Sequence, residues 1–584
     1  MAVRGRHILR KLLSEYKMLK RQSSSVKLSY YHQPTSEPLR YQTIGQLATT
    51  AADKWPDTEV VVSVQQSQTL TFSQAEHQAN KLAAGFLELG LQPGDRLGIC
   101  SPNSTQWFLT AVAAAKAGLI LVSMNPSYMA HELEYCLQKV RVKALVVPKS
   151  YKTINYYKML SEIFPELPTS PANSKLTSTK LPYFSCIIVS TDESLPGTIR
   201  FSDVADSTDS LTKLQETNQR LRPEHIGNIQ FTSGTTGKPK AVPLSHFLLI
   251  NNSYFCGKRL GLGEKHYKIL VQPPFFHVLA YISALLGSLN FGSTLVLPSP
   301  TFNASASCEA VRRESCTMLL GTPTMYVDLC SHVSNLPADE QLLHQSPEMA
   351  VSGGALCTPE LFRKMKNTFS CDRVMSVYGL TETTAMCFTS TREDSEFHMT
   401  STVGKVSENV EAKVVDKEGL TVPFGTPGEL WMRGYNMTGY WEDTVATDMT
   451  LTRDGWIKTG DRFVLGEDGY GQVVGRIKDM IIRGGENISP REVEDYLVTH
   501  PNILDAQVYG VSNERLGEEV GCSLRLTPGA KLTEQEVKDF CKDKIAYFKI
   551  PKYIEIVEDF PKTGSGKIQK YKLREAMEKK LAVK

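Results

Sequence analysis

A Gly- and Thr-rich segment in mid-chain limits the possible folds more than any other part of the sequence. It reads Phe231-Thr-Ser-Gly-Thr-Thr-Gly-Lys-Pro-Lys240. Glycine lets backbone N–H groups approach an anion closely, the hydroxyls add donors, and the lysines add compensating positive charge. These properties predict a phosphate-binding loop, and an ordinary polar turn is the alternative. The residues predicted to contact phosphate are Thr232, Ser233, Gly234, Thr235, Thr236, Gly237, Lys238 and Lys240.

The spacing within this loop differs from that of the P-loop of kinases and GTPases. In a P-loop four residues separate the two glycines, and the lysine precedes a Ser or Thr at the start of a helix. Here only two residues separate Gly234 from Gly237, and Pro239 follows the lysine. Residues 226–231 and 240–244 have strand patterns, and a helix begins only after Ser245. The sequence therefore predicts a β-turn-β clamp.

Length and charge narrow the class of protein. A chain of 584 residues is too long for one core, so about three or four domains or subdomains are expected. The composition, with 41% hydrophobic and 22% charged residues, is typical of a soluble globular protein. Outside residues 1–36 the chain has 57 basic and 61 acidic residues, so it lacks the positive excess of a nucleic-acid-binding protein. We therefore expect no nucleic-acid partner, and the sequence indicates no particular protein partner.

The first 36 residues are strongly basic and amphipathic. They contain eight Lys or Arg and one acid, Glu15, and apolar residues recur at helical spacing from Ile8 to Leu19. An Arg-rich, acid-poor amphipathic start is typical of a mitochondrial transit peptide, whereas a secretory signal has a continuous apolar stretch. We therefore predict a targeting segment over residues 1–40 and a location in the mitochondrial matrix. A solvated or membrane-surface helix is the alternative.

The cysteines and the longest uncharged stretch argue against a disulfide-rich or membrane-spanning protein. The twelve cysteines are scattered from Cys100 to Cys541 without a Cys-x-x-Cys pair, so we expect reduced, buried thiols. Residues 272–307 contain no Asp, Glu, Lys or Arg. Gly287 and Gly292 interrupt this stretch, which favours a buried helix followed by a buried strand at 293–297 over a membrane span.

Local patterns divide the rest of the chain into regions. Helical and strand patterns alternate over residues 41–147, which favours a sheet covered by helices on both faces. Residues 165–182, rich in Ser, Thr and Pro, are typical of an exposed loop. Short strands separated by Gly and Asp turns follow Gly404 and predict a β-rich subdomain that ends near Arg476. Helices and strands mix over residues 492–582, which predicts a separate α+β domain.

Further clusters of Gly, Thr and charged residues accompany the phosphate-binding loop. In chain order they are Pro274-Phe-Phe-His277, Ser352-Gly-Gly-Ala355, Tyr378-Gly-Leu-Thr-Glu382, Thr459-Gly-Asp461, Gly475-Arg-Ile-Lys-Asp479, Arg483-Gly-Gly-Glu-Asn487 and Gly564-Ser-Gly-Lys567. This ordered set resembles the adenylate-forming superfamily, which includes acyl-CoA synthetases, luciferases and the adenylation domains of peptide synthetases. The resemblance extends from about Tyr41 to the C-terminus.

Four segments carry a closer resemblance, to mitochondrial fatty acyl-CoA ligases. They are Asn251-Asn-Ser, Gly321-Thr-Pro-Thr-Met, Asp479-Met-Ile-Ile-Arg-Gly-Gly-Glu-Asn-Ile and Phe548-Lys-Ile-Pro-Lys-Tyr. The resemblance implies that a fatty acid, of medium chain length, attacks the α-phosphorus of ATP to give acyl-AMP and pyrophosphate. The thiol of coenzyme A then displaces AMP. ATP, Mg²⁺ and coenzyme A are the implied cofactors and co-substrates.

The resemblance also implies an α/β fold in several parts. A large N-terminal body of helix-covered sheets, residues 41–477, would hold ATP and the acyl pocket and would include the β-rich subdomain at residues 404–477. A small α+β lid, residues 478–584, would be mobile and would turn about Lys478 between the two half-reactions. A charged hinge residue stays solvated during large backbone rotations, although Lys478 could equally form a surface pair with Asp479.

The first half-reaction explains several of the residue types. A carboxylate that attacks a polyphosphate is repelled, so positive charge must neutralise the phosphates and hold the nucleophile in line. By resemblance, Lys567 would bridge the carboxylate and the α-phosphate. Glu382 would bind Mg²⁺, and Thr381 would contact the phosphate of AMP. His277 would lie near the acyl carboxylate, and a structural histidine is the alternative.

The resemblance places three more residues around the nucleoside. Asp461 would accept both ribose hydroxyls, a role that suits a carboxylate because it is an acceptor only. Tyr378 would lie beside the adenine, and Arg476 would reach the ribose.

Glycine residues are expected to form two further surfaces of the site. The bare backbones of Gly353 and Gly354 would form a wall between the nucleotide and the acyl pocket, since a side chain there would prevent the contact. Gly484 and Gly485 would line the pantetheine tunnel of coenzyme A, and a plain loop is the alternative.

The sequence departs from the family pattern at two alanines. Ala241 follows Pro-Lys where the family usually has Gly, and Ala280 follows the histidine cluster at a position that is often Gly. If either backbone required a positive φ, alanine would be strained by about 1 kcal/mol or more. Reduced turnover or altered loop closure would follow, but we expect an active enzyme because the phosphate-contacting groups are present.

Three other functions remain open at the level of the sequence. They are an adenylation domain that charges a carrier protein, a luciferase-like oxygenase, and a non-catalytic acyl-nucleotide binder. No serine-bearing carrier domain follows Lys584, and we therefore expect the ligase rather than the carrier-charging domain.

Overall fold

Two sheets of mainly parallel strands form the large body of the protein. The structure is a computed structural model and describes residues 27–206, 210–232, 239–337, 347–354, 357–483, 486–513, 516–542, 544–545, 547–564 and 566–582. Across the first sheet the strand order is Thr198–Arg200, Cys186–Ser190, Ala144–Pro148, Arg96–Ile99, Ile120–Ser123, Ile226–Thr232, Lys240–Ser245. Across the second it is Lys405–Val406, Phe388–Thr389, Arg373–Tyr378, Met349–Gly353, Met318–Gly321, Lys268–Val271, Thr294–Leu297, Glu59–Ser63, Gln68–Thr71.

The antiparallel pairs of these sheets lie at their edges. The inner strands Ile120–Ser123, Thr294–Leu297 and Met318–Gly321 consist of buried residues only. A parallel strand that is buried on both faces needs cover on both sides of its sheet, which explains the near-continuous apolar sequence of these strands. The predicted α/β body is confirmed.

Side-chain caps fix the starts of several body helices. Thr43 accepts the backbone N–H of Gln46 at the start of helix Ile44–Lys54, and the Gln46 side chain accepts from the Thr43 backbone. Such a capping box pairs two N–H groups that lack partners within the helix. The other body helices are Phe72–Glu88, Thr105–Lys116, Ala130–Lys139, Tyr156–Ile163, Phe201–Ala205, Leu211–Arg220, His246–Arg259, Val278–Ala280, Gly287–Phe291, Ala304–Glu314, Pro323–Ser334, Pro359–Phe369, Glu396–Ser401 and Thr444–Thr450.

The largest apolar cluster contains strand residues of both sheets and the helix Thr105–Lys116. Trp107 of this helix is fully buried, and its ring lies 5.3 Å from that of Phe275 and 6.0 Å from that of Tyr281. Aromatic pairs at these separations add to the stability gained from burial alone. This packing fixes the segment before His277, a predicted site residue, at the end of strand Lys268–Val271.

An antiparallel sheet forms the predicted β-rich subdomain. Its strand order is Tyr30–Gln33, Val410–Val415, Gly428–Arg433, Ile457–Leu465, Gly471–Arg476. The edge strand Tyr30–Gln33 comes from the segment that we assigned to targeting, and it pairs with Val410–Val415 along its whole length. Part of the first 40 residues therefore belongs to the folded protein.

The C-terminal unit has a separate core and mixes helices with strands, as predicted. Its strands are Ile481–Arg483, Glu486–Ile488, Ile503–Asn513, Gly517–Leu526 and Tyr553–Ile556, and its helices are Pro490–Leu497, Glu534–Cys541 and Lys570–Ala582. Its apolar cluster includes Val493, Val508, Val520 and Ile554. The short turn Ile477–Asp479 connects the subdomain to this unit, which we call the lid.

The long uncharged stretch is a buried helical segment followed by a strand, as expected. Val278–Ala280 and Gly287–Phe291 are α-helical, Tyr281–Leu286 between them is a π-helix, and the strand is Thr294–Leu297. Across the described part of the chain, every helix is too short or too polar to cross a bilayer. All twelve cysteines are buried and free, as predicted.

The loop at residues 165–182 is less exposed than predicted. Leu167, Leu176 and Leu181 are almost fully buried in the cluster around Phe164 and Phe184. A Ser-, Thr- and Pro-rich composition correctly excludes long helices and strands here, but it does not show which apolar side chains anchor the loop.

Candidate active site

A cleft of about 1390 Å³ lies between the body and the lid. The carboxyl ends of the strands Ile226–Thr232 and Arg373–Tyr378 open into it. Ligands of parallel α/β sheets bind at this end of the strands. The predicted site residues that line the cleft are Thr232, His277, Gly354, Tyr378, Thr381, Asp461, Arg476, Lys478 and Lys567.

The strands that flank the predicted phosphate-binding loop form an antiparallel hairpin. Thr232 ends the first strand and pairs with Lys240, which begins the second. The two strands that the sequence predicts on either side of the turn are thus confirmed. The predicted contacts Ser233, Gly234, Thr235, Thr236, Gly237 and Lys238 lie outside the described residues.

Asp461 is a buried residue that accepts contacts from two other side chains on the subdomain side of the cleft. Its side chain is 4% exposed. Tyr378 donates its hydroxyl proton to Oδ2 (2.5 Å), and Arg476 Nε lies 2.6 Å from Oδ1. Burial raises the pKa of Asp461, against the opposing effects of the Arg476 charge and the Tyr378 hydrogen bond. Tyr378 and Arg476 thus both contact Asp461, and the predicted roles of the three residues around the nucleoside stay predictions.

Lys567 is presented by a tight turn of the lid. The Lys567 N–H donates to Thr563 Oγ1 (3.1 Å), and the Thr563 N–H donates to the Lys567 carbonyl (2.7 Å). Gly566 has a φ of +83°, a conformation that favours glycine. The turn reaches the body, where the Thr324 hydroxyl donates to the Gly566 carbonyl (3.4 Å). The turn therefore places Lys567 inside the cleft.

Charges from both sides of the cleft act on the Lys567 ammonium. Burial and then the positive charge of Arg476 lower its pKa, while Glu382 and Asp461 act in the opposite direction. The charged form of a lysine in such a position is stabilised when an anion binds beside it, since the anion offsets both the desolvation and the repulsion. Both cations line the same cleft, so an anion bound there would be stabilised by them.

His277 lies on the wall of the cleft as a neutral residue. Burial, together with the Lys567 charge, lowers the pKa of His277 to about 3. Its Nδ1 accepts the backbone N–H of Leu279 (3.2 Å), so the neutral ring carries its proton on Nε2. His277 thus has the structural role of capping a helical turn and also lines the cleft, while its role near the acyl carboxylate stays a prediction.

Gly353 and Gly354 both stand where a side chain would be strained or would clash, and of the two only Gly354 lines the cleft. A Cβ on Gly353 would lie 2.5 Å from Val377 Cγ2 and 3.1 Å from the Val377 carbonyl oxygen. Gly354 has a φ of +84° and lies near Lys567, whose Cε would be 3.9 Å from a Cβ at this position. Both positions therefore have a physical reason for glycine.

Glu382 is held by contacts of its backbone and its side chain. It lies in the turn Thr381–Thr383, its carbonyl accepts the Met437 N–H (2.8 Å), and Tyr440 donates its hydroxyl proton to Oε1 (2.6 Å). The Lys240 ammonium lies 4.7 Å from the centroid of the Tyr440 ring. Tyr440 therefore connects the phosphate hairpin with the predicted metal-binding acid.

The donor set fits Mg²⁺ bound together with a phosphate. Among the described residues no three His, Cys, Asp or Glu converge on one point. Mg²⁺ commonly uses one or two protein carboxylates and completes its octahedral shell with water and substrate phosphates. Glu382, beside the hairpin and Thr381, supplies such a carboxylate.

The predicted roles of the hinge and tunnel residues stay predictions, and the structure gives the position of the hinge residue only. Lys478 is exposed in the turn Ile477–Asp479 between body and lid. Gly484 and Gly485 lie outside the described residues.

Sequence reasoning missed Tyr440, Asn125 and Thr324 as parts of the site. A Cβ on Gly564 would lie 2.3 Å from the Asn125 side chain, and Thr324 contacts Gly566 as described above. Asn125 and Thr324 lie far from Lys567 in sequence. Thr324 belongs to the segment Gly321-Thr-Pro-Thr-Met, which carries the family resemblance, but no local spacing pairs either residue with the Lys567 turn. Their role becomes visible only when the lid and the body are in contact.

The two alanine departures produce no backbone strain. Ala280 has a φ of −70° in a helical segment, and Ala241 lies in the strand Lys240–Ser245. Neither belongs to the residues with positive φ. The condition under which reduced turnover was expected is therefore not met.

Comparisons with known proteins match both units of the chain. A family described as AMP-binding enzyme matches residues 48–441, and its C-terminal domain, described as AMP-binding enzyme C-terminal domain, matches residues 492–567. The human protein named medium-chain acyl-CoA ligase ACSF2, mitochondrial, is 42% identical over 562 residues, which cover 95% of this chain and 90% of the relative. A Bacillus subtilis protein named putative acyl-CoA synthetase YngI is 34% identical over 92% of this chain and 97% of its own length.

A solved structure supports the fold. The anthranilate CoA ligase AuaEII in complex with anthranoyl-AMP superimposes with a TM-score of 0.81, covering 94% of this chain and 99% of that protein at 24% sequence identity. The fold of this chain is therefore shared with that protein over almost its whole length.

Proposed function

Because the chain belongs to the AMP-binding enzyme family, we propose that it is an ATP-dependent fatty acid–CoA ligase that acts on medium-chain acids. The 42% identity to a relative named medium-chain acyl-CoA ligase supports the choice of a medium-chain acid as the substrate. The reaction consumes a fatty acid, ATP and coenzyme A and yields acyl-CoA, AMP and pyrophosphate. It needs neither a nucleic acid nor a membrane span.

In the first half-reaction the fatty acid carboxylate attacks the α-phosphorus of ATP. A bond forms between the carboxylate oxygen and phosphorus, and the bond to the leaving pyrophosphate breaks. Lys567 would hold the carboxylate against the α-phosphate and offset the charge repulsion between them. The position of Lys567 in the cleft supports this role, because a bound anion would offset the burial and the Arg476 charge that lower the pKa of Lys567.

The nucleotide would be held along the subdomain side of the cleft. Asp461 would accept the ribose hydroxyls, with Arg476 beside the ribose and Tyr378 beside the adenine. The contacts of Tyr378 and Arg476 with the buried Asp461 support the proposal, since they fix the carboxylate before the nucleotide binds. Thr381 would contact the α-phosphate, and the hairpin that begins at Thr232 would contact the β- and γ-phosphates.

Glu382 would hold Mg²⁺ together with the phosphate oxygens. The ion supplies positive charge that stabilises the developing charge on pyrophosphate. The hydrogen bond from Tyr440 would keep the Glu382 carboxylate in place.

The acyl chain would lie on the other side of the glycine wall. Gly353 and Gly354 would separate it from the nucleotide, and the Nε2–H of His277 would donate to the acyl carboxylate. The neutral state of His277 supports a donor role that does not depend on protonation.

In the second half-reaction the CoA thiol attacks the acyl carbon and releases AMP. The lid, which we place at residues 478–584, would turn about Lys478 and bring Gly484 and Gly485 to the pantetheine chain. The exposed position of Lys478 supports its use as a hinge, because the side chain stays in water during rotation.

The observation that carries this proposal is the position of Lys567 in a cleft that it shares with Asp461 and Arg476. The test is AMP release from ATP with a panel of acids from short to long chains, with and without coenzyme A. Release that requires both coenzyme A and a medium-chain acid supports the ligase. Adenylate without thioester supports a relative with another acceptor, and no turnover with any acid supports a non-catalytic binder.

We further propose that the protein acts in the mitochondrial matrix. The basic amphipathic sequence of the first residues and the mitochondrial relative support this location. Residues 1–40 fused to a fluorescent reporter should direct it to mitochondria, and protease protection after the outer membrane is opened should place it in the matrix. A reporter that stays in the cytosol would refute the proposed mitochondrial location.

A further inference from the structure

A network of ion pairs joins the lid to the body helix Pro323–Ser334. Arg525 Nη2 of the lid lies 2.9 Å from Asp328 Oδ1, and Lys562 Nζ lies 3.7 Å from Asp328 Oδ2. A second carboxylate, Asp559, lies 2.9 Å from Lys562 Nζ and 3.5 Å from Arg525 Nε. Both cations therefore lie between two carboxylates, of which Asp328 belongs to the body and Asp559 to the lid.

The network is sheltered from water on the side that joins the two units. The side chains of Arg525, Lys562 and Asp328 are 14%, 22% and 25% exposed, whereas Asp559 is 58% exposed. Charge pairs that are partly removed from water interact more strongly than pairs on an open surface. Leu504 of the lid packs against an apolar cluster of the body that includes Val327 and Leu329, the neighbours of Asp328 in sequence.

The same body helix contacts the turn that presents Lys567. Lys562 pairs with Ile568 at the base of this turn, so the cation that faces Asp328 is also the first residue of the Lys567 hairpin. Thr324, which contacts Gly566, precedes Asp328 by four residues, so both lie on one face of the helix. The helix thus holds the turn at its tip through Thr324 and at its base through Asp328.

We propose that Asp328 is a positioning residue for acid activation. Its carboxylate holds Arg525 and Lys562, docks the lid on the body and keeps Lys567 in the cleft during attack on the α-phosphate. This role rests on the proposed ligase function. It concerns the first half-reaction only, because the transfer of the acyl group from preformed acyl-AMP does not use Lys567 to bridge carboxylate and phosphate.

The principal test compares the half-reactions in Asp328→Asn, which keeps the side-chain size and removes the charge. Pyrophosphate release from ATP and fatty acid should fall by about tenfold, the scale of one lost charge pair at a partly buried contact. Thioester formation from supplied acyl-AMP and coenzyme A should stay within about twofold of the wild type. An equal loss in both half-reactions, or no loss in either, would overturn the proposal.

Asp203→Asn is a matched control. Asp203 pairs with Arg200 within the body (2.8 Å), and its side chain is 26% exposed, almost the same as Asp328. It does not line the cleft. This variant should keep both half-reactions at the wild-type rate, and a loss like that of Asp328→Asn would assign the effect to general instability.

A double-mutant cycle tests whether the charges act together. Arg525→Gln alone should reduce pyrophosphate release, and its combination with Asp328→Asn should cost less than the two single effects combined, because both remove the same contact. Asp328→Glu, which restores the charge, should recover part of the activity. Full additivity, or no recovery with glutamate, would contradict the assignment.

A measurement that does not depend on catalysis separates failure of this inference from failure of the proposed function. Trypsin can cleave after Arg476 and Lys478, whose side chains are already exposed in the connection to the lid, but cleavage also requires the backbone around them to unfold locally. A lid that leaves the body should make this local unfolding more frequent. Cleavage of Asp328→Asn should be several-fold faster than that of the wild type and of Asp203→Asn. If the wild type activates no acid but this difference in cleavage is found, the result supports the docking role of Asp328 and refutes the proposed ligase function. Equal cleavage of all three proteins refutes the docking role.

Discussion

At the scale of single residues, Lys567 carries the largest share of the proposed chemistry. Lys567→Ala should reduce pyrophosphate release by about 10²- to 10³-fold, as found when one charge-stabilising donor is removed from an active site. Thioester formation from supplied acyl-AMP should change much less, because that step has no attack on the α-phosphate. The two half-reactions measured separately check this prediction.

Lys580→Ala controls for the loss of a lid lysine. Lys580 pairs with Glu555 on the lid surface (3.2 Å) and does not line the cleft. It should leave both half-reactions unchanged. If Lys567→Ala lowered both half-reactions to the same extent, its role as the bridge to the α-phosphate would be wrong.

His277 should not determine how activity depends on pH. Its folded pKa of about 3 lies below its ordinary value of 6.5, so the ring stays neutral from pH 5 to pH 9 and gains a proton only in stronger acid. His277→Gln should lower the rate of acid activation but leave the shape of the pH–rate profile unchanged over this range. Initial rates of the wild type and the variant, measured at constant ionic strength from pH 5 to pH 9, give the two profiles. Loss of an acid limb near pH 6 in the variant would show that His277 titrates there.

At the scale of elements, the strand Tyr30–Gln33 limits how much of the N-terminus can be removed. It covers the edge of the subdomain sheet, and Tyr30 donates its hydroxyl proton to Glu411 (2.6 Å). Deletion of residues 1–26 should leave the melting temperature unchanged, whereas deletion of residues 1–36 should lower it by on the order of 5 °C, since a paired edge strand is lost. Thermal unfolding of both truncations measures the difference. Equal melting temperatures would show that this strand contributes no stability.

The contact between the strands Met349–Gly353 and Arg373–Tyr378 leaves no space for a side chain at Gly353. Gly353→Ala should destabilise the protein by about 1–3 kcal/mol, because the added methyl group would overlap Val377 Cγ2. Val377→Ala in the same chain should restore much of the loss by removing that methyl group. Denaturant unfolding of the single and double variants measures both effects. If the double variant were no more stable than Gly353→Ala alone, the clash with the Val377 backbone carbonyl would be the cause of the destabilisation.

At the scale of the whole molecule, the sequence predicted which residues share the cleft better than it predicted the contacts that link them. The β-turn-β hairpin follows from local spacing, and the family resemblance placed Asp461, Tyr378 and Lys567 in one site, where the structure brings them into one cleft. The link from Lys240 through Tyr440 to Glu382 joins segments that are distant in sequence, so no local pattern indicates it. The edge strand Tyr30–Gln33 was missed because its basic, amphipathic neighbours dominated the interpretation of the N-terminus.

The buried thiols provide a test of how the two units unfold. Cys522 and Cys541 belong to the lid core, and the ten other cysteines belong to the body. Burial raises the pKa of these thiols, for example that of Cys100 to about 12, so a thiol reagent should react with the native protein slowly. The lid buries a smaller core than the body, and smaller units are less stable. As guanidinium increases, about two thiols should therefore become reactive before the other ten.

A variant with Cys522→Ala and Cys541→Ala identifies the early thiols. It should lose the first phase of labelling and keep the second, with ten reactive thiols when fully unfolded. A single transition in which all twelve thiols of the wild type appear together would show that the lid and the body unfold as one unit. In that case Asp328→Asn should separate the two transitions, because the body would then lose the ion pairs that connect it to Arg525 and Lys562.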